Sequence, residues 1–349
     1  MVLSWILLLA ALAADSPPLG KDMSCPAPGV EVLADGRART TLDVLTYNIE
    51  GLGWPARTHR AKQLAEIGAR LDALRQAGQA PDLVLFQEAF SEPAKAAVRQ
   101  SGYPAIVHGP RRGQHHRMAN DVEDLEGAGR RSIKRGEIGV KFAGSGLAVA
   151  SRFPITTHAG KPFGSRSCAG LDCLSNKGAL FARVAIPGVP DPIDVFDTHM
   201  NSRKASKAPR SESLPVHHAE AHELASFIEA LRDDDHPTLL GGDFNMRHSE
   251  ARFDFLEPLM RMTLVERYCH DPAAGCDIRM SFDGDAPWMD TEDLQFFGSG
   301  TRVQVRPIRI DTLFDGRKDS PRLSDHDGFR VTYELTWRAA LTPRTGGCG

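Results

Sequence analysis

Between Leu42 and about Glu334 the chain alternates short β-rich runs with helical patterns, and strands clearly outnumber helices. Strands are expected at Leu42–Ile49, Asp82–Glu88, Gly146–Ser151, Gly178–Ile186, Pro192–His199, Thr238–Gly242, Arg309–Phe314 and Phe329–Leu335. Helical spacing marks Arg60–Leu74, through Leu64, Ile67, Leu71 and Leu74, and His217–Leu231, through Leu224, Phe227, Ile228 and Leu231. A shorter helix starts near Pro93, a good first-turn residue. Several strands follow one another with no helix between them. An α/β fold of two packed sheets with outer helices therefore fits better than one doubly wound sheet.

The chain shows neither a linker-like break nor an internal repeat, so one domain is expected over residues 41–338. An extension (14–40) precedes it and a short tail (339–349) follows. The stretch from Gly109 to Lys141 lacks periodicity and is crowded with Arg, Gly and His. A loop that long reads either as an insertion beside a site or as plain disorder.

Val2–Ala14 is apolar but too short to span a bilayer comfortably. It reads as a signal segment over residues 1–13, with Ala11-Leu12-Ala13 as the cleavage pattern, although no Lys or Arg precedes it. An uncleaved anchor is the alternative. Cys25 is no lipid-attachment site, because polar Asp22-Met23-Ser24 precedes it. The 6 cysteines, an even count, agree with export to a secreted or periplasmic location. Spacing favours Cys168 with Cys173, Cys269 with Cys276, and Cys25 with Cys348, and it offers no zinc pattern. With 42 Lys+Arg against 45 Asp+Glu the net charge is −3, which excludes a generic nucleic-acid coat but not a local basic groove.

Acids, amides and imidazoles gather at strand ends: Asn48, Glu88, His199, Asp243 and Asn245, with Asp311 in a late strand and Ser324-Asp325-His326 before the last. Strand ends from two sheets can bring these to one rim. Such an oxygen-rich set suits a hard cation such as Mg²⁺, and a neutral imidazole suits proton transfer from water. Any one of them alone reads more simply as a cap or turn residue.

Taken together, Tyr47-Asn48-Ile49, Leu85-Phe86-Gln87-Glu88, Gly242-Asp243-Phe244-Asn245, Arg309-Ile310-Asp311 and Ser324-Asp325-His326 resemble the motif series of the DNase I-like endonuclease/exonuclease/phosphatase superfamily. The resemblance implies a four-layer α/β/β/α sandwich and Mg²⁺-dependent phosphoester hydrolysis, with Mn²⁺ or Co²⁺ as substitutes. It implies that Glu88 binds the metal, with Asn48 beside it and Asp325 as a further ligand. Asp311 would orient His326 as general base, and Asp243 would hold the attacking water. Asn245 and His199 would stabilise the phosphoryl group and leaving oxygen.

Fold alone does not choose a substrate. Cys168-Ala-Gly-Leu-Asp172-Cys173-Leu-Ser-Asn176-Lys177-Gly178 resembles the neutral sphingomyelinase segment in which an Asp precedes a Lys by five residues and forms a switch with it. Asp172 and Lys177 are thus candidates for the site, and a phospholipid at a membrane surface is the expected substrate. The solvated turn is the plainer reading of Lys177. Two further readings stand. One is an exported DNA endonuclease, for which Arg111, Arg112, Arg117, Arg130, Arg131, Lys134 and Arg135, with Arg203, Lys204, Lys207 and Arg210, would track the backbone. The other is an inactive lipid-binding module. No obligate protein partner is implied.

His218 and His222 lie four apart on a helix, a zinc-compatible spacing, but solvated helix polarity is the simpler reading, and the His115-His116 pair is weaker still. Trp288, Met289, Phe296 and Phe297 suit either a membrane interface or the core.

Overall fold

The computed structural model describes residues 29–53, 57–115, 137, 141–280 and 286–342. The signal segment, Cys25, Cys348, His116 and the basic residues from Arg117 to Arg135 lie outside the described residues. The chain runs β1 (Glu31–Val32), β2 (Arg37–Asn48), α1 (Ala61–Gln76), β3 (Leu83–Gln87), α2 (Glu92–Gln100), β4 (Ala105–His108), β5 (Ala148–Ser151), β6 (Ile155–Pro162), β7 (Gly178–Val184) and β8 (Ile193–His199). It continues through α3 (Arg210–Leu231), β9 (Thr238–Asp243), α4 (Glu250–Met260), β10 (Thr263–Leu264), α5 (Val265–His270), β11 (Asp277–Ile278), β12 (Asp293–Gly298), β13 (Gln304–Leu313) and β14 (Gly328–Arg338).

Two mixed sheets result. One has the order β11-β13-β14-β2-β3-β5-β4, with β1 added to β2; the other has the order β10-β12-β9-β8-β7-β6. The parallel pairs β2–β3 and β8–β9 lie in different sheets and carry the expected strand ends. The sheet takes in residues from Glu31, ahead of the expected boundary at 41.

Strand periodicity makes the layers. On β3, Leu83 and Leu85 face the other sheet, while Val84 and Phe86 face the helices. All are buried, so the run reads as continuously apolar. Leu42 and Val44 of β2, Val195 of β8, Leu239 of β9 and Phe297 of β12 join the core between the sheets. On one outer face Leu64, Ile67 and Leu71 of α1, with Ala97 and Val98 of α2, cover Leu45, Tyr47 and Phe86. On the other, Leu224, Phe227 and Ile228 of α3 and Phe253 and Leu256 of α4 cover Phe181, Phe196 and Leu240. The architecture is the α/β/β/α sandwich.

The helix expected from His217 begins at Arg210 instead and carries Pro215 inside it. Pro215 is the sixth residue of that helix, past the opening N–H groups that lack an intrahelical acceptor, so its missing N–H forgoes one helix bond, to the Ser211 carbonyl. Phe296 and Phe297 belong to β12 and are buried, so they are core residues. Disulfides join Cys168 to Cys173 and Cys269 to Cys276, as the spacing suggests. No described helix is long and apolar enough to cross a membrane.

Candidate active site

The same alternation that builds the core also builds the site. Counting in twos from Val44, β2 delivers Thr46 and then Asn48 to the inner face; from Leu239, β9 delivers Gly241 and Asp243. β8 continues from Val195 to Asp197 and His199, and β3 from Leu85 to Gln87. Where the apolar core ends, these polar groups meet across the seam. Gln87 Nε2 donates to Asp197 Oδ1 at 2.7 Å, bridging the sheets directly beneath the site.

Asp243 is the hub. It lies opposite His199 on parallel β8 and opposite Asp293 on antiparallel β12. Asn48 Nδ2 donates to Asp243 Oδ2 at 2.8 Å and to Glu88 Oε1 at 3.2 Å. Asp243 Oδ1 accepts the Asn245 N–H at 3.0 Å, and Asn245 Nδ2 donates to the Met200 carbonyl at 3.0 Å. Glu88 (φ 60°) and Asn245 (φ 54°) hold left-handed backbone, an uncommon choice for non-glycine residues that clusters at functional sites. Gly242 is required by crowding, since a Cβ there would sit 2.3 Å from the Thr198 carbonyl oxygen.

His326 pairs with Asp293, its Nδ1 lying 2.6 Å from Asp293 Oδ2. Its Nε2 points between Asp243 Oδ2 and Glu292 Oε2, each at 3.9 Å. The expected pairing of His326 with Asp311 is therefore corrected. Ile310 belongs to the inter-sheet core, so its neighbour Asp311 faces the other way on β13. Asp311 instead accepts from its neighbouring Thr312 N–H at 2.8 Å and from Arg317 at 3.2 Å. Asp325 also stands apart from the buried cluster, half-exposed and 3.5 Å from Arg57.

Lys177 is almost wholly buried, which excludes the solvated turn. Its Nζ lies 2.9 Å from His199 Nε2, 2.9 Å from the Met200 carbonyl and 3.1 Å from Asp172 Oδ2. An ammonium has three donors and no acceptor, so all three are engaged within the protein. The same Asp172 oxygen accepts the Ser202 N–H at 2.5 Å. His199 Nε2 also lies 3.3 Å from Asp243 Oδ2, whereas Nδ1 is buried with no partner among the described residues.

Electrostatics follow from burial. Burial lifts the Glu88 carboxyl to about 7 and Asp243 to about 6. It likewise drives His199 well below the ordinary imidazole value, with the Lys177 charge adding to the effect. Burial would lower His326 too, but the carboxylates of Asp293, Asp243 and Asp325 override it and hold the imidazole well above its usual value.

Carboxylates crowded in a buried seam fit a hard divalent cation. Asp293 Oδ1 is buried with no hydrogen-bond partner, and Asp243, Asp293 and His326 each offer a ligand atom, all within 4.8 Å of one another. Glu88 and Asn48 adjoin this group through the Asn48 amide.

Other candidates resolve as packing. His218 stacks on Phe255 with ring centroids 3.8 Å apart, and His222 meets the same ring edge-on, so they form no zinc pair. Trp288 sits under the Arg267 guanidinium at 4.8 Å. His115, Arg111 and Arg112 are exposed, as are Lys204, Lys207 and Arg210, while Arg203 is partly covered.

The profile of the Endonuclease/Exonuclease/phosphatase family matches residues 45–326, from within β2 to His326. The chain belongs to this family. Among solved structures, sphingomyelinase C from Streptomyces griseocarneus is similar at 19% identity and TM-score 0.55, covering 84% of this chain and 99% of that one. A mutant beta toxin from Staphylococcus aureus with bound magnesium ions is similar at 16% identity and TM-score 0.52, covering 85% and 99%. D. rerio TDP2 complexed with single-strand DNA product is similar at 15% identity and TM-score 0.52, covering 84% and 98%. At these identities the likeness is one of fold. No curated protein sequence matches the chain. Membership of the Endonuclease/Exonuclease/phosphatase family makes the chain a phosphodiesterase- or nuclease-type hydrolase.

Proposed function

We propose that this chain is an exported, Mg²⁺-dependent phosphodiesterase that hydrolyses a phospholipid head-group ester, taking sphingomyelin and water to ceramide and phosphocholine. One observation carries the choice of lipid: the buried contact of Lys177 with His199, completed by Asp172. It joins the segment that resembles sphingomyelinases to the site itself, and the fold likeness to sphingomyelinase C supports the same reading.

Glu88 and Asn48 would hold the cation, with Asp243 beside them and Asp325 at the mouth. When bound, it supplies charge against a phosphoryl oxygen and offsets the carboxylates around His326. His326 Nε2 would take the proton of the attacking water while Asp293 holds Nδ1 and stabilises the resulting imidazolium. The water oxygen bonds to phosphorus, the phosphorus–oxygen bond to ceramide breaks, and the departing oxygen takes a proton from solvent water to leave as the alcohol, while His326 returns its proton to solvent. Asn245 and His199, on the opposite side of Asp243, would steady the phosphoryl oxygens. Mn²⁺ and Co²⁺ are the expected substitutes.

A secreted endonuclease is the second reading, favoured by the cationic run Arg203, Lys204, Lys207 and Arg210 just after His199. Sphingomyelin vesicles, phosphatidylcholine vesicles and supercoiled DNA, each with Mg²⁺ and with excess chelator, test the two together. Sphingomyelin hydrolysis that stops with chelator is the expected result. DNA nicking without lipid hydrolysis overturns it.

A further inference from the structure

Arg252 is a fully buried arginine in the first turns of α4, and it forms no close ion pair among the described residues. Its guanidinium faces three main-chain carbonyls instead. Nη1 donates to the Asn201 carbonyl at 2.6 Å and to the Asn245 carbonyl at 2.8 Å, and Nη2 donates to the Ser213 carbonyl at 3.2 Å. Asn201 lies two residues beyond His199, and Asn245 two beyond Asp243. Ser213 belongs to the first turn of α3. One planar fork thus ties together both strand exits that present site residues and fixes them to a helix.

The segment after His199 is secured on its other atoms too. Lys177 and the Asn245 side chain both donate to the Met200 carbonyl, and Glu220 Oε2 accepts the Asn201 N–H at 2.6 Å. The Asn201 side chain accepts the Ala169 N–H at 2.8 Å. Irregular backbone leaving two adjacent strands cannot satisfy its carbonyls by ladder bonds, and a buried unsatisfied carbonyl is costly. A guanidinium meets several such carbonyls in a set geometry, which a flexible ammonium does not reproduce.

We propose that Arg252 is a positioning residue for phosphodiester hydrolysis: by bridging the Asn201 and Asn245 carbonyls it sets the spacing of His199 against Asp243 and Asn245. The inference rests on the hydrolase reading of the site and adds a residue that touches no substrate. Burial lowers the Arg252 guanidinium to about 10, which still leaves it charged at neutral pH.

The test compares Arg252→Lys with two core truncations under α1, Ile67→Val and Leu71→Ala, chosen to bracket its thermal loss from the far side of the other sheet. Turnover of bis(4-nitrophenyl) phosphate with Mg²⁺ is measured well below every unfolding midpoint, together with the His199 ring signals by NMR. Arg252→Lys should lose ~10- to 100-fold in kcat, the scale of a small misplacement, with KM within about threefold. Its His199 ring signals should shift, whereas both truncations keep kcat and those signals. If Arg252→Lys does not fold, Glu220→Gln, which weakens the bond to the Asn201 N–H and removes a carboxylate charge acting on Arg252, should shift the same signals and lower kcat less. A kcat that merely follows the thermal midpoint, or unmoved His199 signals, overturns the proposal. An unaltered chain inert on the probe refutes the hydrolase reading alone, since the NMR comparison still decides the role of Arg252.

Discussion

Two aspartates compete for one role, and substituting each by asparagine separates them. Asp293 Oδ2 lies 2.6 Å from His326 Nδ1, whereas Asp311 is engaged with Thr312 and Arg317. Asp293→Asn keeps the side chain's shape but removes the charge that stabilises the imidazolium formed when His326 accepts a proton. A charge-assisted hydrogen bond is worth ~1.5–3 kcal/mol, which at ~1.4 kcal/mol per decade is roughly a 10- to 150-fold loss of kcat. If the amide N–H turns toward Nδ1 and forces the wrong tautomer, the loss can reach ~10⁴-fold. Asp311→Asn breaks only a partly exposed pair, so turnover should stay within about twofold and stability within ~1 kcal/mol. The assay is steady-state phosphodiester hydrolysis at saturating Mg²⁺ beside a thermal melt of each protein. Equal damage from both substitutions, or a silent Asp293→Asn, would refute the assignment of Asp293 as the partner of His326.

Lys177→Met should cut lipid hydrolysis by roughly 10- to 150-fold and, because it leaves the half-buried Asp172 carboxylate with the Ser202 N–H but no cation, cost ~1–3 kcal/mol of stability. Calorimetry should show part of that stability restored by adding Asp172→Asn. Replacing Cys168 and Cys173 together by serine opens a loop of sequence separation 5, for which chain entropy gives a loss of ~2 kcal/mol, measurable by urea unfolding. Burial holds the His217 imidazole well below its ordinary value. The unfolded chain therefore binds more protons below about pH 6.5, so stability is full above that pH and falls by up to ~1.4 kcal/mol per unit as pH drops toward the depressed folded value. His217→Gln should flatten that slope in melts from pH 7 to 5.

The layers were legible because both their signals are local: short apolar β-rich runs for β2, β3, β8 and β9, and 3.6-residue spacing for α1 and α3. The site was legible where a functional group closes a strand, as Asn48, His199 and Asp243 do. Asp293 was missed because it opens a strand. β12 runs antiparallel to β9, so its first residue, not its last, reaches the shared rim. Asp311 drew attention as an acid in a clear β pattern, yet parity turns it off the inner face, and parity becomes readable only once a neighbour such as Ile310 is known to be inside. β4 and β6 lack strong alternation in burial, and α4 carries buried Arg252 and an internal Pro258 that blur its apolar face.

The amide of Asn48 reaches from one sheet to the Asp243 carboxylate of the other, across 195 positions of sequence. No early or local folding event can make that contact, because it waits on the docking of two sheets whose strands are interleaved along the chain. Closing such distant pairs is slow compared with forming helices. Refolding should therefore regain far-ultraviolet dichroism well before it regains turnover, and species with one sheet formed should be inert. For a phosphodiesterase- or nuclease-type hydrolase, an order of events that makes reactivity the last property acquired keeps the nascent chain inert until its fold is complete.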